Sequence, residues 1–517
     1  MSTALGVIDS LVRSAYSKGG IDGLVVAIVT KEGAVYDRAM GPLKANATTP
    51  EKRGKVDQHS VFRIASGSKL FATLETLILR ERGALQWDDP VDKFFPNFSY
   101  AAGGWGGGLE TSGPITLRQL ASHMAGLTRE FPRGDMKNWP HSLEGTGPPP
   151  TNGRPFPTTE QLITGLKQYP LTVPTYSYPV YSNVGMALLG QVAVAANREF
   201  ELESANATVR PTASPATWPA LAQRDIFDPL RLNGSAFVVT PKNRAHVAVA
   251  SADSDEVDWD FLDAMACSGG QMSSLSDYIK LMQTFLDPAR PESLLPPHVM
   301  REWMRPLHGW VDETTEVGML WEIEKIRDSY ARPVRIFQKL GVLSASRSVF
   351  AINPDMSFGI ALLMTGSAPI AGDLVLEMFR QLQPTLDRLL ATQVAELYSG
   401  RWTTESDPSS EIFISVAQGS LWITKLQLQG TNVLRLVQNI PDGDTHSRAE
   451  PITMWSTGRL HEFRMVFAVA SQSCMRSWAT IDDGFARGYP TDLVYFSEEG
   501  EGLQLHVPSV GLVLTRA

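Results

Sequence analysis

A serine and a lysine, Ser66 and Lys69, stand three residues apart in the segment FRIASGSKLF. On a helix, side chains at positions i and i+3 share a face, so the hydroxyl and the ammonium can meet. A serine hydroxyl is a weak nucleophile until a nearby base or cation lowers the cost of forming the alkoxide. The alternative is structural: the serine caps a helix and the lysine is exposed to solvent. The pair therefore predicts either an activated nucleophile or a capped helix.

A second group, Tyr181-Ser182-Asn183, lies in the segment PTYSYPVYSNVG. Residues i and i+2 of an extended segment project to the same side, which would place the phenol of Tyr181 beside the carboxamide of Asn183. A phenol can relay a proton, and a carboxamide can donate a hydrogen bond to a substrate carbonyl. In a purely structural interpretation, the same tripeptide is a turn before the apolar helix that follows it.

A third group, Lys339-Leu340-Gly341, lies in the segment RIFQKLGVLSASRSVF. The lysine could anchor a carboxylate or support Tyr181 electrostatically, and the glycine would let a substrate lie against the edge of a strand. A strand edge also offers free backbone N–H groups, which an oxyanion needs. The structural alternative is a strand with one exposed lysine. Each group is weak evidence alone, so their order and spacing carry the interpretation.

In this order and spacing, the three groups resemble those of the serine β-lactamase and penicillin-binding protein superfamily. The flanking phrases agree with it, among them FRIASGSKLFATL, GALQWDDPVDKFFP, ITLRQLASHMAGL, YSNVGMALLG and CSGGQMSSLSDYIKLMQTFL. The resemblance covers residues 5–385 and is strongest with the class C β-lactamase-like branch, which includes carboxylesterases, statin-type acyltransferases and fungal β-lactamase-like proteins. It implies an α/β fold, the β-lactamase/transpeptidase-like fold, with a central antiparallel sheet flanked by helices and an all-helical subdomain.

The resemblance also implies a catalytic role for each matching residue. Ser66 would be the acylated nucleophile and Lys69 its activator. Tyr181 would be the general base toward Ser66 and the acid toward the leaving group. The backbone N–H groups of Ser66 and Val342 would form the oxyanion hole. The chemistry would be a two-step acyl transfer through an acyl-enzyme.

Three further positions, Asn183, Lys339 and Gly341, would contact the substrate, and the last two match the Lys-Thr-Gly box of the family. The chain departs from that box in two ways. Leu340 stands where bacterial β-lactamases have a threonine hydroxyl, and the following VLSASRS lacks their small glycine-rich run. Both changes weaken recognition of a β-lactam carboxylate, so they count against antibiotic hydrolysis more than against acyl transfer itself.

We therefore expect a serine hydrolase that acts through an acyl-enzyme on an ester, thioester or amide of a small apolar compound, as in secondary metabolism. Three alternatives stay open: an acyltransferase with the same acyl-enzyme, a β-lactamase or D-amino-acid peptidase, and a non-catalytic binding protein with the same fold. No Gly-x-Ser-x-Gly elbow is present, which argues against an α/β-hydrolase. His123 lies in a helix predicted over residues 115–127, where a structural hydrogen bond is expected.

These groups need a scaffold, and the chain predicts two domains. Residues 1–390 would form the acyl-transfer domain, in which two long loops, residues 98–114 and 128–175, carry aromatic residues that could line the pocket. Residues 391–517 show about eight short alternating strands, EIFISV, SLWITKLQL, NVLRLVQ, ITMWS, EFRMVFAV, LVYFS, LQLHV and VGLVLT. This spacing predicts an antiparallel β-barrel. It is similar to the lipocalin-like barrels appended to some family members.

The composition of the 517-residue chain limits its partners. The net charge is −9 without a dense run of Lys or Arg, which argues against nucleic acid, and no apolar run is long enough to span a membrane. The first residues lack the pattern of a signal peptide, so the chain as written is expected in the cytoplasm, or outside the cell if such a peptide was removed. We expect a small-molecule acyl substrate as the partner.

Cysteine and histidine usage excludes further chemistry. The only two cysteines, Cys267 and Cys474, make neither a disulfide scaffold nor a thiolate metal site, although whether they pair with each other stays open. The nine histidines form no pair at metal-ligand spacing. We therefore expect no metal and no cofactor. The exact substrate, the role of the barrel and the oligomeric state do not follow from the sequence.

Overall fold

A computed structural model describes residues 2–104, 113–204, 214–441, 443–467, 477–499 and 502–517. The chain divides into two units, Met1–Arg327 with Pro333–Gln381 and Asp328–Arg332 with Leu382–Ala517. This division and the boundary predicted near residue 390 fall within the same long helix. Cys474 and residues 105–112 of the predicted 98–114 loop lie outside the described residues.

An antiparallel sheet forms the centre of the first unit. The strands of this unit are β1 (Gly23–Thr30), β2 (Gly33–Met40), β3 (Val61–Arg63), β4 (Met272–Ser274), β5 (His308–Gly309), β6 (Thr315–Val317), β7 (Glu322–Arg327), β8 (Pro333–Leu343), β9 (Ser346–Asn353) and β10 (Phe358–Thr365). Among these strands, β3 and β4 pair only with each other and form a separate two-stranded sheet. The other eight follow the order β2-β1-β10-β9-β8-β7-β6-β5. Strand β10 is buried along its whole length because helices cover both faces of the sheet there.

Helices supply the rest of the first unit. They are α1 (Ser2–Ser17), α2 (Ser68–Arg82), α3 (Val91–Phe94), α4 (Leu117–Ala121), α5 (Thr159–Gly165), α6 (Asn183–Ser204), α7 (Trp218–Ala222), α8 (Asp228–Leu230), α9 (Leu262–Met265), α10 (Leu275–Leu286), α11 (Pro297–Trp303) and α12 (Ala371–Tyr398), which continues into the second unit. Helix α2 is buried from Ser68 to Leu79 and ends at Gly83, whose φ of 83° permits the left-handed cap. Helices α2 and α6 pack against each other, so the two segments that carry the predicted catalytic residues are fixed together.

Two sequence predictions for this unit are corrected by the structure. The helix predicted over residues 115–127 ends at Ala121, because the chain turns at Ser122 and His123, and His123 has a left-handed φ of 59°. The loop predicted over residues 128–175 is not without regular structure, since it contains α5 and the 3-10 helix Leu166–Gln168. A capping box at Thr158 and Gln161 starts α5.

The second unit is built on a closed antiparallel barrel. Its elements are β11 (Gly400–Thr403), β12 (Glu411–Ala417), β13 (Ser420–Leu428), β14 (Thr431–Asn432), α13 (Val433–Val437), β15 (Ile452–Ser456), β16 (Glu462–Val466), β17 (Phe485–Ala486), β18 (Tyr489–Pro490), β19 (Leu493–Glu499), β20 (Gly502–Val507) and β21 (Leu512–Arg516). Eight strands follow the order β12-β11-β21-β20-β19-β16-β15-β13, and β13 pairs with β12 to close the ring. Alternate residues point inward, as in β12, where Ile412 and Ile414 are buried.

One barrel strand was predicted wrongly. The segment NVLRLVQ, residues 432–438, is the helix α13 and not a strand. The side chain of Asn432 accepts a hydrogen bond from the backbone N–H of Arg435 and starts the helix. The eighth strand of the ring is instead β11, in the segment GRWT.

None of the helices within the described ranges is long and apolar enough to cross a membrane.

Candidate active site

Ser66 lies in a tight turn between β3 and α2. The turn is the 3-10 helix Ala65–Gly67, and Ala65 adopts a left-handed φ of 48°, which is strained for a residue with a side chain. A Cβ atom on Gly67 would lie 2.5 Å from the Tyr278 hydroxyl oxygen, so only glycine fits there. This geometry leaves Ser66 partly exposed while its neighbours are buried.

The Ser66 hydroxyl contacts both predicted catalytic partners. Lys69 Nζ donates a hydrogen bond to Ser66 Oγ at 2.9 Å, and Tyr181 Oη lies 2.7 Å from the same oxygen. Lys69 is fully buried and also donates to the carbonyl oxygen of Ser268 at 2.6 Å. Lys69 is therefore not a solvated surface lysine. The structure brings together three residues that lie up to 115 positions apart in the sequence.

Three cations surround the ring of Tyr181. Lys69 Nζ, Lys339 Nζ and the Arg129 guanidinium carbon lie 5.1, 5.3 and 4.9 Å from the ring centroid. Burial alone would raise the pKa of the phenol, but Lys339 and Lys69 outweigh it, so the pKa of Tyr181 lies below its ordinary value. Burial conversely lowers the pKa of Lys69. The lowered pKa of Tyr181 makes the phenolate, the form that can accept the serine proton, more accessible, and the lowered pKa of Lys69 makes that lysine easier to deprotonate.

Lys339 is buried and ion-paired. Its Nζ atom lies 2.5 Å from Glu322 Oε1, and Glu322 Oε2 accepts a hydrogen bond from the backbone N–H of Leu340 at 3.0 Å. Burial opposes the charge of Lys339, but Glu322 and Tyr181 outweigh burial and raise the pKa of the lysine. Lys339 therefore remains a cation beside Tyr181, with its charge already balanced by a carboxylate.

Gly341 lets strand β8 approach the Ser66 turn closely. A Cβ atom at this position would lie 2.0 Å from the carbonyl oxygen of Ile64 and 2.3 Å from Ser348 Oγ. The Ser348 hydroxyl in turn donates to the Ile64 carbonyl at 2.7 Å. Glycine is required here by the close packing of β8 and β9 on the turn, in addition to any contact with substrate.

Val342, the predicted second oxyanion donor, follows Gly341 on β8. Pairing of β7 with β8 ends at Gln338, and no other described strand pairs with that edge of β8 beyond it. The side chain of Val342 is exposed. The edge of β8 next to the Ser66 turn is thus open, as an oxyanion site requires.

Asn183 begins α6 beside the cluster and contacts protein groups. Its Nδ2 atom donates to Glu130 Oε1 at 2.7 Å, and Ser268 Oγ lies 3.4 Å from its Oδ1 atom. Glu130 is buried, and burial raises its pKa above the ordinary value although Asn183 and Lys69 oppose the shift. The carboxamide is therefore oriented by a carboxyl group before any substrate binds.

His123 has a structural position. Its Nδ1 atom accepts a hydrogen bond from the backbone N–H of Ser182 at 3.2 Å, and its ring lies 4.6 Å from the ring of Tyr181. Burial and then the charge of Lys69 hold the pKa of His123 well below its ordinary value. The imidazole is neutral and supports the segment that carries Tyr181.

Four residues at the site were missed by the sequence analysis: Arg129, Glu130, Ser268 and Glu322. All four contact site residues that lie at least 17 positions away in the sequence, so no local spacing indicated them. Arg129 and Glu130 follow the phrase ITLRQLASHMAGL, and Ser268 lies in CSGGQM, so the phrases that supported the resemblance were the only available signal.

An exposed aromatic rim lies beside the segment that carries Tyr181. Tyr178 and Trp310 meet at 6.3 Å between ring centroids, and Tyr176 meets His308 at 6.1 Å. Tyr176, Tyr178 and Trp310 are each at least 40% exposed. The backbone N–H of Tyr176 donates to the carbonyl of Met124 at 3.0 Å, which fixes the loop. We call these four residues the aromatic rim.

No three His, Cys, Asp or Glu side chains in the described part of the chain are arranged to hold a metal ion. Cys267 is a buried free thiol whose pKa burial raises to about 12, so it is not a reactive thiolate at neutral pH.

An eight-stranded antiparallel sheet with flanking helices, and a serine, lysine and tyrosine in contact beside strand β8, define a protein of the β-lactamase/transpeptidase fold. A family model described as Beta-lactamase matches residues 8–383, which is more than half of the chain. The chain therefore belongs to the beta-lactamase family, within the superfamily of serine β-lactamases and penicillin-binding proteins. A second model, described as Beta-lactamase-like-like, C-terminal domain, matches residues 390–517.

Individual proteins agree with this assignment. Over 309 residues the chain is 59% identical to Beta-lactamase-like protein str6 of Strobilurus tenacellus. The alignment covers 59% of this chain and 99% of that protein. The fold is similar to that of a beta-lactamase/D-alanine carboxypeptidase from Yersinia pestis, with a TM-score of 0.56 and 20% identity. The match covers 74% of this chain and 98% of that structure. A class C beta lactamase from Rhodobacter sphaeroides gives a TM-score of 0.53, 19% identity and coverage of 72% and 97%.

Proposed function

We propose that the chain is a serine hydrolase that forms an acyl-enzyme on Ser66 with an ester of a small apolar compound. The observation that supports this most directly is the position of Ser66 Oγ, which lies within hydrogen-bond distance of both Lys69 Nζ and Tyr181 Oη. A nucleophile in contact with a base, which is itself oriented by other groups, is the arrangement that nucleophilic catalysis requires.

In the first step, Ser66 Oγ attacks the ester carbonyl carbon and its proton passes to Tyr181. Lys69 and Lys339 favour the phenolate that accepts this proton, since they lower the pKa of Tyr181. The backbone N–H groups of Ser66 and Val342 would stabilise the oxyanion. The C–O bond to the leaving alcohol then breaks, and Tyr181 returns the proton to that alcohol. In the second step, water attacks the acyl carbonyl in the same way and releases the acid.

Three features favour an apolar and uncharged substrate over a β-lactam with its carboxylate. Lys339 is already balanced by Glu322 at 2.5 Å. Leu340 offers no hydroxyl group at the position after it. The aromatic rim offers exposed apolar surface next to the segment that carries Tyr181. Such surface suits an alkyl or aryl group of the substrate.

The experiment that tests this is an assay of p-nitrophenyl esters of increasing acyl length, with a chromogenic cephalosporin in parallel, on the wild type and on Ser66→Ala. We expect ester turnover in the wild type, its loss by roughly 10⁴-fold or more in Ser66→Ala, and little hydrolysis of the cephalosporin. The exposed serine Ser10 in α1 provides a matched control, since Ser10→Ala should keep full activity.

Two outcomes would contradict the proposal. Equal ester turnover in Ser66→Ala would remove Ser66 from the mechanism, and cephalosporin turnover far above that of every ester would identify a β-lactamase. Labelling by a serine-directed phosphonate, located by mass spectrometry on the peptide that contains Ser66, tests the nucleophile without a known substrate. Adding primary alcohols to the assay and measuring the new esters distinguishes an acyltransferase from a hydrolase.

A further inference from the structure

A second carboxyl group, Glu256, is buried beside the strand that supplies the predicted oxyanion donor. It belongs to the 3-10 helix Ser254–Asp258, and only 1% of it is exposed. Its Oε2 atom accepts a hydrogen bond from the backbone N–H of Ala345 at 3.2 Å, and its Oε1 atom accepts one from the Ser346 hydroxyl. Both oxygens of one carboxylate therefore bind the connection between β8 and β9.

That connection is a two-residue turn with an unfavourable backbone. Leu343 pairs with Ser346, so only Ser344 and Ala345 lie between the strands, and Ser344 has a left-handed φ of 36°. No glycine is present to relieve this conformation, so contacts from outside must hold it. The Arg347 guanidinium donates to the carbonyl oxygens of Ser344 and Ser346 and so also supports the turn.

The turn sets the position of Val342. In the β8–β9 ladder, Val342 lies opposite Arg347, one pair away from the turn. Gly341, on the other side of Val342, is packed without spare room against the turn that carries Ser66. The N–H of Val342 thus lies between a tightly packed glycine and a turn held by Glu256. A change in the turn reaches this N–H group before it reaches any other group of the site.

The charges around Glu256 do not balance it fully. Arg63, Arg347 and Asp253 face it, but the Arg63 guanidinium donates to the carbonyl oxygens of Gly270 and Val257, each at 2.8 Å. Burial raises the pKa of Glu256 to about 7, although hydrogen bonds from Ser346 and Ala345 oppose the shift. Because this pKa is raised on folding, ionisation of Glu256 lowers the stability of the folded chain as pH rises toward 7. A neutral residue would avoid that loss, so the carboxylate serves something other than stability.

We propose that Glu256 is a positioning residue for the Ser66 reaction: its carboxylate holds the β8–β9 turn so that the N–H of Val342 is directed at the oxyanion. This inference rests on the proposed function. The ionised carboxylate can only accept hydrogen bonds, and it accepts one at each oxygen, from the N–H of Ala345 and from the hydroxyl of Ser346. Protonation converts one oxygen into a donor and loosens the turn. Acylation therefore becomes slower when Glu256 is protonated.

The test is the rate of Ser66 modification by a serine-directed phosphonate between pH 5.5 and 9, in the wild type and in Glu256→Gln. This reaction uses the same oxyanion site and needs no identified substrate. We expect the wild-type rate to fall as pH drops through about 7. At pH 8 we expect Glu256→Gln to react roughly 10-fold more slowly, less than the 10²- to 10³-fold cost of losing an oxyanion donor. The step near pH 7 should be absent from its profile.

Two companion variants separate positioning from folding. Asp258→Asn changes an exposed carboxylate of the same 3-10 helix, paired with Arg244, and should keep the wild-type profile. Ser346→Ala removes one of the two turn contacts and should slow labelling by a smaller factor while the pH step remains. If Glu256→Gln fails to fold, judged by thermal unfolding, the Ser346→Ala result alone decides: an unchanged labelling rate overturns the proposal.

For a folded Glu256→Gln, an unchanged rate, or a slower rate with the step near pH 7 intact, would also overturn it. Absence of any labelling of Ser66 in the wild type would instead overturn the proposed function, so the two failures are distinguishable.

Discussion

The two units of the chain bury different kinds of groups. The first unit encloses Arg63, Lys69 and Lys339, each at most 1% exposed. In the described part of the second unit no lysine or arginine is buried, and its core consists of apolar side chains such as Trp402 and Leu514. Burial of a charge costs free energy unless it is paired and hydrogen-bonded. Lys69 and Lys339 both lie beside Tyr181, so the placement of these buried cations agrees with the proposal that the first unit carries the chemistry.

The barrel shows what the same chain does without that requirement. Many of its charged groups form pairs at the surface, as where Glu411 contacts both Arg401 and Lys425, whereas Asp492 is buried beside Arg464. Inward and outward positions alternate along most of its strands, with a break in β13 where two consecutive residues are exposed. Variants that remove a buried cation, an apolar side chain of the barrel core and a surface cation test this difference between the two units.

The largest effect is expected for a buried cation. Lys69→Met should reduce kcat for the preferred ester by about 10³-fold, because the proposed activator of Ser66 and one of the charges beside Tyr181 are lost. Its unfolding temperature at pH 7 should be no lower than that of the wild type. The pKa of Lys69 is lowered on folding, so the charged lysine reduces stability at every pH below its unfolded pKa. Thermal unfolding and ester kinetics on one preparation test this. A variant that loses both activity and stability would show that Lys69 is mainly structural.

A truncation in the barrel core should instead lower the stability of the folded chain. Leu514→Ala removes a fully buried side chain of β21 and should lower the free energy of unfolding by about 2–5 kcal/mol. Because the site is apolar, the loss should be the same at pH 6 and pH 8. Denaturant unfolding at both pH values measures it. A loss that differs between the two would reveal a titrating group in the barrel core.

The smallest effect is expected at the barrel surface. Lys425→Gln removes one partner of Glu411, but Arg401 remains at 2.7 Å and both cations are about half exposed. Exposed pairs contribute little, so the free energy of unfolding should change by less than about 0.5 kcal/mol. Denaturant unfolding at low and high salt tests this. A loss above about 1 kcal/mol would contradict the view that the apolar core, and not the surface charges, stabilises the barrel.

The sequence predicted those features of the site that depend on local spacing. Ser66 and Lys69 are one helical turn apart, and the structure places them in contact because the 3-10 helix that carries Ser66 runs directly into α2 at Ser68. The contact with Tyr181 was inferred only through the resemblance. Glu322 and Glu256 could not be predicted, because each acts on residues at least 17 positions away and neither lies in a recognisable motif.

In the scaffold, the errors came from competition between local signals. The apolar side chains of the segment 432–438 suit a strand, but the Asn432 cap starts a helix there. Residues 115–127 show helical spacing, but the chain must turn at His123 so that its Nδ1 atom can reach the backbone of Ser182. The predicted number of barrel strands, about eight, agrees with the ring, but one of its members was predicted wrongly. The segment NVLRLVQ is not a strand, and β11 completes the eight.

The closed ring of the barrel also affects how the protein is made. Strand β21 pairs with β11, so residues 402 and 516, more than a hundred positions apart, must meet before the ring exists. Closure of such a long loop is slow, and it cannot start until β21 has left the ribosome. The first unit can fold earlier during translation, since domains nearer the N-terminus generally do. Until β21 arrives, the apolar faces of the other strands remain uncovered, and a chaperone that shields them at this stage should raise the yield of folded protein.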